Sequence, residues 1–276
     1  MPEPSPEYQE ARRVLLDALE ALDPHRDALI LVGAQAIYLH APLGDPRPAY
    51  TTDGDLALDP DLLAERPDLA SELEAAGFEL TQSGNPGSWE SPTGVVIDLM
   101  VPDGALPRSS RRSAQLAGHA TRSARRTRGL EVALYDNTEH TLVGLSEGDT
   151  REVGLRVASP AALLIAKLVK IEERLSQPKP DRVLPKDAGD ILRLLRNVDA
   201  VAIGTRLRVI ANERQDLTPL IEGSLRWMQD QVEARSSDLV DLTIRHMQDV
   251  ENPAQVDIAL RTLAGRVVDG YRASET

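Results

Sequence analysis

Cysteine is absent from the 276 residues, which removes disulfides, thiolate zinc sites and cysteine nucleophiles together. Aromatic residues are scarce at 3%, so a core has to be assembled from Leu, Val, Ile and Ala. No uninterrupted apolar run approaches the ~18 residues of a membrane span. The opening "MPEPSPEYQE" is acidic and Pro-rich where a secretory signal would be basic and then apolar. The expectation is a cytoplasmic chain with no membrane partner. His25, His40, His119, His140 and His246 show no H-x-x-x-H spacing, and neither G-x-S-x-G nor the GK[ST] of a P-loop occurs.

What is present is an ordinary soluble balance, 41% hydrophobic and 27% charged, long enough for one large domain or two moderate ones. The net charge of −13 argues against a generic nucleic-acid binder, because phosphate contacts supply most non-specific affinity. Its distribution is uneven. From Gly104 to Leu130 there is no Asp or Glu, while Arg108, Arg111, Arg112, Arg122, Arg125, Arg126 and Arg128 all fall inside; taking those seven charges from −13 leaves −20 elsewhere. Such a segment is either a solvated basic loop or an electrostatic track for RNA phosphates, its lack of aromatics fitting backbone contact rather than base stacking.

Along the chain, "EYQEARRVLLDALEAL" places Val14, Leu15, Leu19 and Leu22 at helical spacing. "ALILVG" then reads as a buried strand ending in a Gly turn at Gly33, with a helix over "AQAIYLHA" and a loop through Pro42, Gly44, Pro46 and Pro48. A strand carries "DGDLALD", and a helix broken or started by Pro67 covers "DPDLLAERPDLASELEAAG". Hairpin-linked strands follow through "SGNPGS" to "GVVIDLMVP", then three short strand-like runs, "LEVALYD", "HTLVGL" and "EVGLRVA". From "ASPAALLIAKLVKIEERL" onward, past the Pro-rich "SQPKPDRVLP", the pattern is helical almost throughout. The expected fold is α+β: a mixed β-sheet lobe over residues 1–157 and a helical lobe over 158–276 that closes a cleft.

Within "TTDGDLAL", Asp53 and Asp55 are two apart in an extended segment, so both project to one face, where their charges repel. The pair is either an acidic turn facing water or half of a cation site. Asp98 interrupts an otherwise apolar strand and is therefore on a solvent face or buried with a partner. Magnesium takes one to three carboxylates plus phosphate oxygens and water, so a D-x-D with a third Asp on a neighbouring strand suits a metal-bound nucleotide. Gly33 would allow close backbone approach of a triphosphate at a helix N-terminus.

Taken in order, "LVGAQAIYLH", the D-x-D of Asp53 and Asp55, and Asp98 in "VVIDLMV" resemble the nucleotidyltransferase superfamily of DNA polymerase beta type. The fuller Thr51, Asp53, Asp55 phrase is similar to the AbiEii and MenT branch, as are Lys167 on its helix and Asp187 and Asp190 in "KDAGDILRLL". The resemblance spans Leu29 to Leu195 in short pieces. One departure is Ala34, which stands where the family prefers Gly or Ser after the first Gly. By itself the spacing of Lys167 and Lys170 would equally describe surface lysines on one helix face.

The resemblance implies an NTP-dependent, pyrophosphate-releasing enzyme using Mg2+ or Mn2+. Asp53, Asp55 and Asp98 would hold metal, and Gly33, Ala34, Thr51, Thr52 and Lys167 would bind nucleotide. Lys167, with Asp187 and Asp190 orienting it, would join the three metal carboxylates as the catalytic set. The acceptor it implies is RNA, with tRNA first, on the seven arginines of the basic segment. A toxin role with a cognate antitoxin comes with the branch. Two other readings stay open: a nucleotidyltransferase for a small antibiotic-type acceptor, which the acidic remainder favours, and a non-catalytic nucleotide-binding protein, which Ala34 favours.

Overall fold

The computed structural model describes residues 4–42, 46–82, 84–177 and 184–273. Gly44, Ser83 of the "SGNPGS" turn and positions 178–183 of the Pro-rich loop lie outside the described residues, as do residues 1–3 and 274–276. The chain forms two compact units, one of residues 1–36 and 48–159, the other of residues 37–47 and 160–276. No helix among the described residues is long and apolar enough to cross a membrane.

The first unit is an open mixed sheet with short helices. It opens with helix α1 (Pro6–Ala21), capped by Ser5, whose hydroxyl accepts the Tyr8 N–H, with Pro6 in the first turn where its missing N–H costs nothing. Strand β1 (Leu29–Val32) is buried along its whole length and runs directly into α2 (Gly33–His40). Then come β2 (Asp53–Leu58), α3 (Leu69–Ala75), β3 (Glu79–Leu80), β4 (Ser88–Glu90), β5 (Val96–Pro102), β6 (Arg125–Thr127), α4 (Glu131–Tyr135), β7 (Asn137–Val143) and β8 (Glu152–Ala158). The strand order is β3-β4-β5-β2-β1-β8-β7, with β6 added to β5. Strand β1 is antiparallel to β2 and parallel to β8, and β2 is parallel to β5. Met100 pairs with both Ala57 and Arg125, so β6 extends the edge of β5 opposite β2, beyond the stretch taken by β4.

The sheet at β2 and β5 has two unlike faces because side chains alternate along a strand. On one face a Cβ at Gly54 would stand 2.8 Å from Ile97 Cδ1 and 3.3 Å from Leu15 Cδ1, so α1 presses directly on the backbone there. The other face carries Asp53, Asp55 and Asp98, all half-buried. Burial of Leu15, Leu19, Leu56, Ile97 and Leu99 anchors the first face, at about 1.5–3 kcal/mol per large aliphatic side chain, and thereby turns the acidic face outward.

One segment differs from the sequence-based expectation. "LEVALYD" is not a strand; it contains α4. A five-residue apolar run has no readable period, and here local capping decides: the Asn137 carboxamide donates to the Ala133 and Leu134 carbonyls, while the Glu131 carboxylate accepts the Gly129 and Gly104 N–H groups. Of the two alternatives at Pro67, it is the start that holds: the helix is α3, which begins after Asp68, whose carboxylate accepts the Ser71 N–H. The residue before a proline avoids the helical region, so residues 59–67 form turns.

The second unit is helical: α5 (Pro160–Leu175), α6 (Pro185–Asn197), α7 (Ala200–Glu213), α8 (Thr218–Glu233), α9 (Asp238–Met247) and α10 (Pro253–Ala273). Asp199 and Ser237 cap α7 and α9. Helix α10 buries Val256, Leu260, Ala264 and Val267 at spacings of three and four, the stripe expected of a core-facing helix.

Candidate active site

The acidic face is built by strand register. Asp55 lies opposite Val32 on one side and opposite Asp98 on the other, and Asp53 lies opposite Val96. Paired residues of parallel strands share a face, so the carboxylates of β2 and β5 are neighbours by construction. Immediately after Val32 the chain turns at Gly33 with φ +70°, and the Asp55 carboxylate occupies the space where a Cβ on Gly33 would stand. No residue with a side chain fits that position with Asp55 in place.

Asp53 is fixed from two directions. Its Oδ1 accepts the hydroxyl of the fully buried Thr51 at 2.5 Å, and its carbonyl accepts the Gln35 carboxamide at 3.0 Å. Gln35, on α2, is held in turn by Arg12 of α1, whose Nε donates to Gln35 Oε1 at 2.8 Å. Arg12 is 1% exposed; its other nitrogens donate to the Val143 carbonyl at 3.1 Å and the Tyr8 hydroxyl at 3.0 Å. Burial pushes its pKa down from the ordinary arginine value, with Tyr8 opposing. Neither Arg12 nor Gln35 carries a signal in the sequence: each sits in a helical pattern, and only the fold aligns them behind Asp53.

Asp98 is engaged differently. Arg125 Nη1 lies 2.6 Å from its Oδ1 and Arg125 Nη2 2.6 Å from its Oδ2, a bidentate pair with both side chains under one-fifth exposed. The Ser88 hydroxyl donates to Oδ1 at 2.6 Å and accepts from Arg125 Nη1 at 3.2 Å. Burial opposes the charge of Arg125, but the hydrogen-bonded Asp98 and the charges of Asp55 and Asp53 outweigh it and raise its pKa. Among the described residues no three acidic or histidine side chains gather into a group that could cage a cation. Asp53 and Asp55 offer carboxylates on one face that suit a divalent ion; Asp98 is already ion-paired.

Of the other residues of this unit expected from the sequence to bind nucleotide, Ala34 is buried and Thr52 exposed. The basic segment is partly built into the fold. Arg126 donates to Asp103 at 2.6 Å and to the Pro107 carbonyl at 2.9 Å, while Arg125 serves Asp98. Backbone bonds from Ala114 to Ala124 and from Arg126 to Arg112 fold the segment back on itself. Arg108, Arg111, Arg112, Arg122 and Arg128 are exposed.

In the second unit, α5 and α6 bring Lys167 to Asp187 and Asp190, with Nζ donating at 2.7 Å to each. All three are buried. Burial opposes the Lys167 charge, yet the two carboxylates hold its pKa well above the ordinary lysine range; burial likewise acts against Asp187, and Lys167 and Lys170 hold it well below the usual carboxylate range. Lys170 at 3.0 Å and Arg174 at 2.8 Å complete the set around Asp187. An ammonium has three protons, and these two bonds use two of them.

The chain belongs to a nucleotidyltransferase family. The family model described as "Nucleotidyltransferase" matches residues 10–199, more than half of the sequence. Among solved structures, an antigenic nucleotidyltransferase-like protein from Paracoccidioides brasiliensis is similar at 20% identity and a TM-score of 0.39, over 80% of this chain and 95% of that one. No curated protein matches the sequence significantly.

Proposed function

We propose that the protein transfers a nucleoside monophosphate from an NTP to an acceptor hydroxyl and releases pyrophosphate and a proton. The observation that carries this is the register of β1, β2 and β5, which sets Asp53 and Asp55 on one face beside the Gly33 turn, where the Asp55 carboxylate fills the space a side chain would need. Asp53 and Asp55 would hold Mg2+ or Mn2+, which when bound offsets the negative charge of the triphosphate. The backbone at Gly33 and Ala34, opening α2, offers N–H groups to phosphate oxygens, with Thr51 and Thr52 next to the carboxylates. Thr51, Gln35 and Arg12 keep Asp53 from moving as the phosphates arrive. Lys167, Asp187 and Asp190 form a buried ion cluster that ties α5 to α6 within the helical unit.

The acceptor we assign is RNA, with tRNA first, on the exposed Arg108, Arg111, Arg112, Arg122 and Arg128. An acidic body repels RNA elsewhere and so orients it toward the basic segment. The withdrawal of Arg125 and Arg126 into internal pairs favours a second reading, a small cationic acceptor of antibiotic type. A toxin role with a cognate antitoxin extends the first reading. It predicts growth arrest on expression, relieved by Asp53→Ala.

The test is incubation with magnesium, each labelled NTP, and tRNA or an aminoglycoside. Labelled acceptor with the native protein, and loss of at least a hundredfold with Asp53→Ala or Asp55→Ala, is the expected result. Label transfer at the native rate by either variant overturns the assignment, and NTP binding without turnover leaves a nucleotide-binding protein.

A further inference from the structure

We propose that Arg125 sets the metal content of this site: its guanidinium stands where a second divalent cation would, so the acidic face takes one ion, on Asp53 and Asp55, with Asp98 kept out of the ligand set. The proposal rests on the nucleotidyltransferase reading of that face. Register brings the guanidinium there. Arg125 pairs with Met100 across parallel strands, and Met100 is two residues from Asp98, so all three share a face. Arg125 Nη2 also reaches the Met100 sulfur at 3.3 Å, a further contact on the guanidinium.

Three features distinguish this pair from a surface salt bridge. Both Asp98 oxygens are taken, Oδ1 by Arg125 Nη1 and the Ser88 hydroxyl, Oδ2 by Arg125 Nη2. Both side chains are mostly buried, at 17% and 18% exposure, so solvent screens them weakly. Arginine does not lose its proton, so the charge is permanent at any working pH. It cancels one of the three carboxylate charges and leaves the two that a single divalent cation balances. For a cation to recruit Asp98, the fork would have to open and leave a largely buried guanidinium without its partner, which is strongly unfavourable.

Manganese(II) alone, titrated into the full chain and followed by the electron paramagnetic resonance of the free ion, counts the sites directly. The native protein should bind one ion, and Asp55→Asn should remove it. Asp98→Asn alone leaves the guanidinium facing Asp53 and Asp55 and should weaken binding of the ion while keeping the count at one. Arg125→Met should bind a second ion, and Arg125→Met combined with Asp98→Asn should return the count to one. Two ions in the native protein, a single ion in a folded Arg125→Met, or loss of the ion or a tenfold weakening in the charge-paired double variant Arg125→Met with Asp98→Asn, would overturn the inference while leaving the nucleotidyltransferase reading intact. The native count and that of the charge-paired double variant decide the matter even where Arg125→Met alone fails to fold, which circular dichroism would show. No manganese binding by any form overturns this inference and the metal reading beneath it.

Discussion

Replacing Gly33 with alanine tests the geometry of the acidic face most directly. The substitution has two separable costs. Gly33 has φ +70°, and a side-chain-bearing residue in that region costs about 1–2 kcal/mol. The added Cβ also falls on the Asp55 carboxylate, which has to move. Gly148 separates the two, because it has φ +85° with nothing within 4 Å of an added Cβ. Gly148→Ala therefore carries the backbone cost alone, a fall in Tm of about 2–4 °C per kcal/mol for a unit of this size. Gly33→Ala should fall further than Gly148→Ala, and its turnover should drop by about a hundredfold, the penalty of displacing a catalytic group by roughly 1 Å. Differential scanning calorimetry and a labelled-NTP assay read the two effects. Equal Tm shifts for the two variants, with native turnover in Gly33→Ala, would refute the placement of Asp55 against this turn.

Four further outcomes follow from particular contacts. Arg12→Met leaves the buried Gln35 Oε1 without its donor, at about 1–3 kcal/mol, and should raise the Mn2+ dissociation constant through Asp53, with partial rescue by Arg12→Lys. Lys167→Met strands buried carboxylates and should destabilise the protein by about 3–5 kcal/mol in urea unfolding; adding Asp190→Asn should recover part of it. His25 is buried, with Nε2 hydrogen-bonded to the Pro67 carbonyl, and burial holds its pKa below 6.5, with His119 adding to the effect and Asp68 and Glu72 opposing it. The unfolded chain then takes the proton first, so the stability His25 confers is complete above pH 6.5 and declines as pH falls below it; His25→Gln should flatten urea midpoints measured between pH 7 and pH 5. Replacing Arg108, Arg111, Arg112 and Arg122 with Ala should flatten the log-affinity against log-salt slope for RNA by roughly 0.7 per lost phosphate contact, leaving NTP binding nearly unchanged; an unchanged slope would favour the small-molecule acceptor.

The sequence alone determined whatever depends on neighbours along the chain. The β1–Gly33–α2 unit is legible because a buried strand is a continuous apolar run and a turn of that hand needs glycine. The common face of Asp53 and Asp55 follows from the two-residue period, and the helices from α5 to α10 follow from their apolar stripes and caps. Where a run was too short to show a period, as in "LEVALYD", local composition misled, and capping by Asn137 made it a helix.

Tertiary structure decided who meets whom. That residues 37–47 join the helical unit, that Asp98 lies beside Asp55, and that Arg125 grips Asp98 across 27 residues all come from pairing between segments distant in sequence. Arg12 and Arg125 look, in sequence, like any arginine in a helix or a basic run. Their roles arise because burial removes water as a partner, so each guanidinium must find its hydrogen bonds in whatever the fold places opposite it.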